Sequence, residues 1–360
     1  MIRANFIMEQ HVGLRSYYEN LRRFIDESKK IEANWEEITY EEPGLIWDRL
    51  PLLPDHWRGA LVGRSQTRRG LSQHSYDVAF FHTQVPAALG GRLVTKRPYI
   101  LCTDITPIQY DQLGPYYDHK ADGNGLLSRY KHRTNVQLFH NAARVLSYSN
   151  WARDSLICDY GLDGSNVEVL PPGVDIEKWQ PKDGTDDNIF RILFIGYDLD
   201  RKGGNLLLEA FRALPANLTE LILVTRSFVP EERGVKLYNE MQPNSAELIA
   251  LSQSCDVFVL PTKAEAFGIA AVEASALGLP VIATTKGGLG DIVVDGETGF
   301  LIQPGDKQML VSRLRLLLED PTLRQKLGQA ARERIVKHFN ARQNATRVIE
   351  ILEEVVNNGH

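Results

Sequence analysis

The sequence predicts an α/β protein built from two Rossmann-like halves. Short apolar strands alternate with helical segments along the whole chain, a pattern typical of parallel α/β layers. The chain has 360 residues and a mass of 40.6 kDa, and two domains are expected because a single core usually stops growing below this size. Residues 171–188 are rich in Pro, Gly and Asp and predict a linker between two series of strands.

The strands are predicted from short apolar runs bounded by turn residues. Those of the first half are residues 4–8, 77–82, 98–104, 144–149 and 167–170. Those of the second half are residues 190–196, 220–225, 256–262, 280–285 and 299–302. Three helical stretches without intervening strands end the chain, at residues 306–318, 321–338 and 341–356.

Residues 39–76 form a long segment for which the sequence predicts no regular structure. Loops of this length in compact domains are usually functional or disordered. The segment contains aromatic and basic side chains that could engage an acceptor: Trp47, Trp57, Arg58, Arg64, Arg68 and Arg69.

The composition is that of an ordinary globular protein. A formal charge of −5 and a pI near 6.0 argue against a dedicated nucleic-acid-binding protein, which would have a basic excess. Residues 51–150 nevertheless carry a net charge of roughly +6. This basic half could attract anionic lipid or phosphate, or it could be a solvated surface.

The cysteines and the hydropathy predict a cytoplasmic protein. Cys102, Cys158 and Cys255 are odd in number, widely spaced and set in apolar surroundings, so reduced core thiols are expected. No apolar run is long enough to span a bilayer, and the start of the chain has no signal-peptide pattern. Peripheral contact with the inner face of a membrane stays open.

The stretch EAFGIAAVEAS, residues 265–275, is the strongest candidate for a functional site. Glu273 is the only ionisable side chain between Ala266 and Thr285. A helix that is apolar on all sides is normally buried, and a buried carboxylate needs hydrogen-bond donors. The protein or a ligand must therefore supply them.

The start of this helix follows directly on a predicted strand. Ligands of open α/β sheets bind at the carboxyl ends of strands, where helices present free N–H groups. Phe267, Gly268 and Ile269 open the helix, and glycine allows close approach of a phosphate. Glu265 and Glu273 lie up to about 12 Å apart along a helix, which suits the two ends of a sugar nucleotide. Alternatively, Glu265 is an exposed turn residue and Glu273 a core carboxylate paired with a cation.

A second candidate is FIGYDLDRKGG, residues 194–204. Arg201 and Lys202 precede two glycines at a predicted helix start, a combination that favours anion binding. Lys202 could neutralise the charge of a departing diphosphate; alternatively, it is a solvated lysine near a helix cap. The tripeptide DLD, residues 198–200, matches a D-x-D metal motif, but a polar loop is the favoured interpretation of so short a match.

Together these segments resemble the retaining glycosyltransferases of family 4, which have the GT-B fold. The most specific element is E-x7-E, here Glu265 to Glu273, followed by ALGLPVIATT. LPPGVD at 170–175, FIG with RKGG at 194–204 and DGETGFLI at 295–302 support it. The resemblance covers nearly the whole chain and implies two Rossmann-like domains facing each other across a cleft.

The resemblance implies a domain organisation and roles for several residues. Residues 1–172 would bind the acceptor, residues 173–338 would bind the donor, and residues 339–360 would form a helix that crosses back to the first domain. Catalytic roles are expected for Lys202, Glu265 and Asp104. The expected donor-binding residues are Gly13, Arg201, Lys202, Arg226, Glu265, Phe267, Gly268, Ile269 and Glu273.

Two positions depart from the family pattern. Tyr197 stands where many relatives have arginine, so Arg201 or Arg226 is expected to supply the second cation. Thr103 stands where relatives often have histidine, which leaves Asp104 as the candidate for contact with the donor sugar. His82 ends the preceding strand and could line the site, although a structural role is the favoured interpretation.

The expected activity is transfer of a hexose from a nucleoside diphosphate sugar, with UDP- or GDP-sugar as donor, to a hydroxyl acceptor. No metal and no other cofactor are expected. The acceptor, whether glycan, lipid or small molecule, and the oligomeric state are not specified by the sequence. Alternatives are a sugar-nucleotide epimerase of the same fold and a non-catalytic partner subunit. A nicotinamide-dependent enzyme is disfavoured because no G-x-G-x-x-G follows either first strand.

Overall fold

A computed structural model describes residues 1–10, 12–41, 55–121, 123, 125–182 and 188–358. The chain divides into two compact units. The first unit comprises Met1–Gln112, Lys120–Pro171 and Arg342–His360, and the second comprises Leu113–His119 and Pro172–Ala341. Trp47 and residues 183–187 of the predicted linker lie outside the described residues.

The first unit contains a six-stranded sheet in the order β2-β1-β3-β4-β5-β6. Every neighbouring pair in it is parallel. Its strands are β1 (Ile2–Glu9), β2 (Ile31–Ile38), β3 (Val78–Phe81), β4 (Tyr99–Thr103), β5 (Arg144–Ser147) and β6 (Val167–Val169). The order reverses between β1 and β3, and such a reversal opens a crevice at the carboxyl ends of the two strands.

The second unit contains a six-stranded parallel sheet in the order β12-β11-β10-β7-β8-β9. Its strands are β7 (Phe190–Ile195), β8 (Thr219–Val224), β9 (Val235–Tyr238), β10 (Val257–Leu260), β11 (Val281–Thr284) and β12 (Gly299–Ile302). The strand order reverses between β7 and β10. The predicted α/β class with two Rossmann-like halves is confirmed.

Helices connect the strands and cover the sheets. They are α1 (Arg15–Ser28), α2 (Asp55–Gly70), α3 (Gln84–Gly90), α4 (Pro107–Leu113), α5 (Leu126–Asn141), α6 (Asn150–Cys158), α7 (Gly204–Phe211), α8 (Ala246–Gln253), α9 (Ile269–Ala276), α10 (Leu289–Ile292), α11 (Lys307–Glu319), α12 (Pro321–His338) and α13 (Ala341–Asn357). None of the described helices is both long and apolar enough to cross a bilayer.

Three details of the sequence prediction were wrong. Each half has six strands, because β2 and β9 were missed. Both are edge strands that pair with a single neighbour. An edge strand that is partly exposed to water does not require the apolar run by which the other strands were predicted. The segment 39–76 contains α2, so it is not irregular throughout. Cys158 is exposed, whereas Cys102 and Cys255 are buried thiols as expected.

Candidate functional site

The candidate donor site lies at the carboxyl ends of β7 and β10, where the strand order of the second unit reverses. The chain leaves β7 at Ile195 and enters α7 at Gly204, and it leaves β10 at Leu260 and enters α9 at Ile269. Both predicted motifs therefore lie in loops at one edge of one sheet. This is the position at which open α/β sheets bind ligands.

The side chains of Lys202 and Glu265 form an ion pair across these two loops. The lysine side chain is 19% exposed and the glutamate side chain 8% exposed. Since charges of low exposure persist only when paired, this contact fixes the two loops against each other. A ligand that reaches either side chain reaches both.

Two glycines allow the loops of this site to approach each other closely. Gly203 has a φ of 80°, and a Cβ there would lie 2.0 Å from the carbonyl oxygen of Pro261. Gly287 has a φ of 57°, and its Cβ would lie 1.9 Å from the carbonyl oxygen of Glu265. Any side chain would displace the backbone beside Lys202 or Glu265.

Hydrogen bonds brace the turn that carries Glu265. The Thr262 hydroxyl lies 3.1 Å from the carbonyl oxygen of Arg201 and 2.8 Å from that of Ala264. The backbone N–H of Lys263 donates to the carbonyl of Arg201 at 2.9 Å. The turn is thus attached to the residue that precedes Lys202. Sequence reasoning missed Thr262 and Gly287, although the GG pair at 287–288 was a signal for a tight turn.

Helix α9 begins in this site. Its N-cap, Gly268, has a φ of 109°, which is a left-handed conformation that favours glycine. Glycine gives no side-chain cap, and the N–H of Ala271 donates to the Gly268 carbonyl at 2.9 Å. This leaves the N–H groups of the first two helical residues to face an anion. Ile269 is the first helical residue. Phe267 is 3% exposed, and its ring lies 6.3 Å from that of Phe339, so its side chain packs in the core.

Glu273 lies in the second turn of α9 and is 6% exposed. The prediction that this carboxylate is buried in an apolar helix is confirmed. Its proposed contact with a ribose stays a prediction, as do the roles expected for the other site residues.

The two candidates for a second cation have different surroundings. Arg201 pairs with Asp198 at 3.2 Å and donates to the carbonyl of Ala264, next to Glu265, at 3.2 Å. Arg226 is exposed, and its guanidinium carbon lies 4.6 Å from the centre of the Tyr197 ring. Arg201 therefore contacts the turn that carries Glu265, whereas Arg226 stacks on the residue that replaces the family arginine.

The two aspartates of the DLD tripeptide pair with cations. Asp198 pairs with Arg201, and both carboxylate oxygens of Asp200 lie 2.8 Å from the Lys263 ammonium. Lys263 and Asn205 lower the pKa of Asp200 below its ordinary value through side-chain hydrogen bonds. These contacts agree with the polar-loop interpretation.

The first unit contains a buried carboxylate at its own strand reversal. Glu9 ends β1, is 4% exposed, and accepts hydrogen bonds from the hydroxyls of Tyr40 and Thr83. The pKa of the Tyr40 phenol is raised, mainly by burial and in addition by the charge of Glu9. Sequence reasoning missed this cluster, although a glutamate directly after the apolar run FIM was its signal.

The remaining candidates of the first unit lie near this strand edge. Gly13 is exposed, and a Cβ there would meet no atom within 4 Å. Asp104 follows β4 and is half-buried. Burial is the main cause of the raised pKa of Tyr148, and the charge of Asp104 adds to it. His82 is fully buried, and its Nδ1 lies 3.3 Å from the Glu9 carbonyl. This packing supports the structural interpretation of His82.

Comparison with known families finds two models that match separate parts of the chain. The model for glycosyl transferases group 1 matches residues 232–334, and that for Glycosyltransferase Family 4 matches residues 32–178. The chain is 29% identical over 219 residues to the D-inositol 3-phosphate glycosyltransferase of Pseudarthrobacter chlorophenolicus, covering 54% of this chain and 52% of that protein.

A second relative has similar coverage. The MMP alpha-(1->4)-mannosyltransferase of Mycolicibacterium hassiacum is 31% identical over 225 residues, covering 59% of this chain and 54% of its own length. The chain thus spans about half the length of the curated relatives it matches.

Solved structures share the fold over the whole chain. A sucrose-phosphate synthase of Thermosynechococcus elongatus matches with a TM-score of 0.80 at 17% identity and covers 100% of both chains. HepE of Anabaena, in complex with UDP-glucose, matches with a TM-score of 0.70 at 19% identity and covers 98% of this chain and 100% of its own. At these identities the likeness shows the fold alone. The two family models, which together match residues in both halves of the chain, show that the chain belongs to the group 1 and family 4 glycosyltransferases, and its fold is GT-B.

Proposed function

We propose that this protein is a retaining glycosyltransferase that transfers a hexose from a nucleoside diphosphate sugar to a hydroxyl acceptor. The second unit binds the donor, with Lys202 on the diphosphate, Glu265 on the sugar and Glu273 on the ribose. The first unit binds the acceptor, and the reaction takes place in the cytoplasm. The Lys202–Glu265 ion pair at the start of α9 is the observation that carries the proposal.

The geometry of this pair suits a donor because the sugar and the diphosphate are joined by one bond. A group that contacts the hexose and a group that contacts the phosphate must then lie close together, as these two side chains do. The free N–H groups of α9 lie between Glu265 and Glu273 in sequence and favour an anion. Solved HepE binds UDP-glucose, which supports the same donor class here.

The proposed reaction breaks the bond between the anomeric carbon and the diphosphate oxygen. The acceptor hydroxyl attacks from the face that the diphosphate leaves, and a diphosphate oxygen takes its proton. Lys202 and the N–H groups of α9 stabilise the negative charge that develops on the leaving group. Such preorganised electrostatic stabilisation is usually the largest single contribution to catalysis.

A screen of UDP, GDP and ADP by thermal unfolding tests the donor class. One nucleotide is expected to raise the melting temperature by about 5 °C at a concentration near 100 times its Kd, because binding to the folded state alone stabilises it. The others should give smaller shifts. Stabilisation by none of the three would contradict the proposal.

Glu273→Gln tests the ribose contact. The amide has the same shape but lacks the charge, so the affinity for the preferred nucleotide should fall about tenfold or more, since hydrogen bonds to charged groups are the stronger ones. Calorimetric titration measures this fall. Glu319→Gln, which changes an exposed glutamate at the end of α11, is the control and should bind as the unchanged protein does.

The products distinguish the alternatives. Incubation with the identified nucleotide sugar should release free nucleoside diphosphate slowly without acceptor and faster with one. An isomerised sugar nucleotide would favour an epimerase. Donor binding without any turnover would favour a non-catalytic subunit.

A further inference from the structure

The first two turns of α5 present an exposed apolar surface. Leu126 is 85% exposed, Leu127 61% and Tyr130 69%. The other large apolar side chains that the structure shows as exposed lie apart from one another in sequence, as is normal for soluble proteins. Three such residues within five positions of one helix are therefore unusual. We name this surface, residues 126–133, the α5 tip.

Cations flank the apolar residues of the α5 tip. At about 100° per residue, Leu126, Leu127 and Tyr130 fall within an arc of about 100°. Arg129 and Arg133 lie on one side of this arc and Lys131 on the other, and all three are exposed. The sequence has no Asp or Glu from residue 123 to residue 153, so this stretch carries no acidic side chain of its own.

The position of the α5 tip follows from the topology. Helix α5 leads into β5 through a short turn, and β5 runs parallel to β4. The helix must run antiparallel to these strands, so it begins at their carboxyl edge. Its 16 residues span about 24 Å, whereas the five residues of β4 span about 17 Å. The tip therefore extends past the sheet, while the last turns, with Leu138 and Phe139 buried, anchor the helix.

We infer that the α5 tip docks the protein on the surface of an anionic lipid bilayer. Apolar side chains flanked by Arg and Lys are typical of helices that rest in the interface of a membrane. The leucines and the tyrosine enter the headgroup region, and the cations contact lipid phosphates. About two helical turns offer much less area than the roughly 1,000 Å² of a specific protein interface, so a bilayer fits better than a protein partner.

This inference is independent of the proposed sugar transfer, because it rests on the surface of the first unit alone. Its consequence is that a lipid-linked hydroxyl could reach the carboxyl edge of the first sheet without leaving the membrane. An acceptor assay is not needed to test it.

Co-sedimentation with vesicles tests the docking. The unchanged protein should bind vesicles of phosphatidylcholine containing about one-third phosphatidylglycerol, and it should bind pure phosphatidylcholine at least tenfold more weakly. Leu126→Ser with Leu127→Ser should weaken binding at least tenfold. The triple variant Arg129→Gln, Lys131→Gln and Arg133→Gln should also weaken vesicle binding at least tenfold, because each cation contributes about fivefold to the affinity.

A matched control removes three exposed cations elsewhere in the first unit. Arg92, Lys96 and Arg97 precede β4 and therefore lie toward the opposite edge of the sheet. Their replacement by Gln should leave binding within about twofold, since charges beyond a Debye length are screened. All substituted side chains are exposed, and unchanged melting temperatures would confirm that the variants fold.

Three results would overturn the inference. Absence of vesicle binding would do so, as would equal losses in the α5 triple variant and the control, which would show general charge attraction. A concentration-dependent dimer that Leu126→Ser with Leu127→Ser dissociates, without vesicle binding, would assign the α5 tip to a second copy of the chain.

Discussion

Replacing Lys202 by Ala is expected to lower kcat about 10²- to 10³-fold while changing KM much less. The ammonium pairs with Glu265 in the donor site, and its charge matters most when negative charge develops on the departing diphosphate. Loss of one preorganised electrostatic contact of this kind costs roughly 3 to 4 kcal/mol in the transition state. Steady-state kinetics with the nucleotide sugar identified by the nucleotide screen measures the two constants separately.

Lys263→Ala is the matched control for this prediction. Lys263 is a neighbouring lysine that pairs with the exposed Asp200 at 2.8 Å, and such surface pairs contribute little. Its kcat should stay within about threefold of the unchanged value. Equal effects of the two substitutions, or an unchanged kcat for Lys202→Ala, would remove Lys202 from the proposed mechanism.

Loss of activity in Lys202→Ala must be separated from loss of stability. The substitution leaves the low-exposure carboxylate of Glu265 without its cation, which costs up to about 3 kcal/mol of folding stability. Lys202→Met combined with Glu265→Gln removes both charges and should restore most of the melting temperature. Because the leaving group still lacks its cation, the double variant should stay inactive.

Most of the fold could be predicted because buried parallel strands leave a strong trace in sequence. Strands such as β10 and β11 are buried along their whole length and appear as uninterrupted apolar runs. Strand β2 contains three glutamates and is buried only at its two ends, while β9 has four residues, none of them buried. Neither has the apolar pattern that identifies a strand.

The candidate site was predictable in its residues but not in its contacts. Glu265 and Lys202 stood out because charges interrupt glycine-rich and apolar stretches at strand ends. Their ion pair joins residues 63 positions apart, and no local pattern specifies such a contact. The same holds for Glu9, Tyr40 and Thr83, which come together only because β1 pairs with β2 on one side and with β3 on the other.

Gly203→Ala is expected to destabilise the second unit by at least about 3 kcal/mol and to lower its melting temperature by about 6 °C or more. Two effects add. A residue with a side chain at a φ of 80° costs about 1–2 kcal/mol, and the Cβ would lie 2.0 Å from the Pro261 carbonyl oxygen. Since the clash is with backbone, the loop of Lys202 or the loop of Glu265 must move, and activity should fall about tenfold or more. Thermal unfolding and kcat/KM measure the two outcomes.

Gly305→Ala separates the clash from the backbone effect. Gly305 has a φ of 81°, which nearly equals that of Gly203, but a Cβ there would meet no atom within 4 Å. This variant should lose only the conformational contribution, about 1–2 kcal/mol, and keep full activity. The difference between the two variants measures how tightly the loops after β7 and β10 pack. If the two variants have equal melting temperatures and equal activities, the donor site tolerates separation of these loops. The ion pair between Lys202 and Glu265 would then not be what holds the geometry of the donor site.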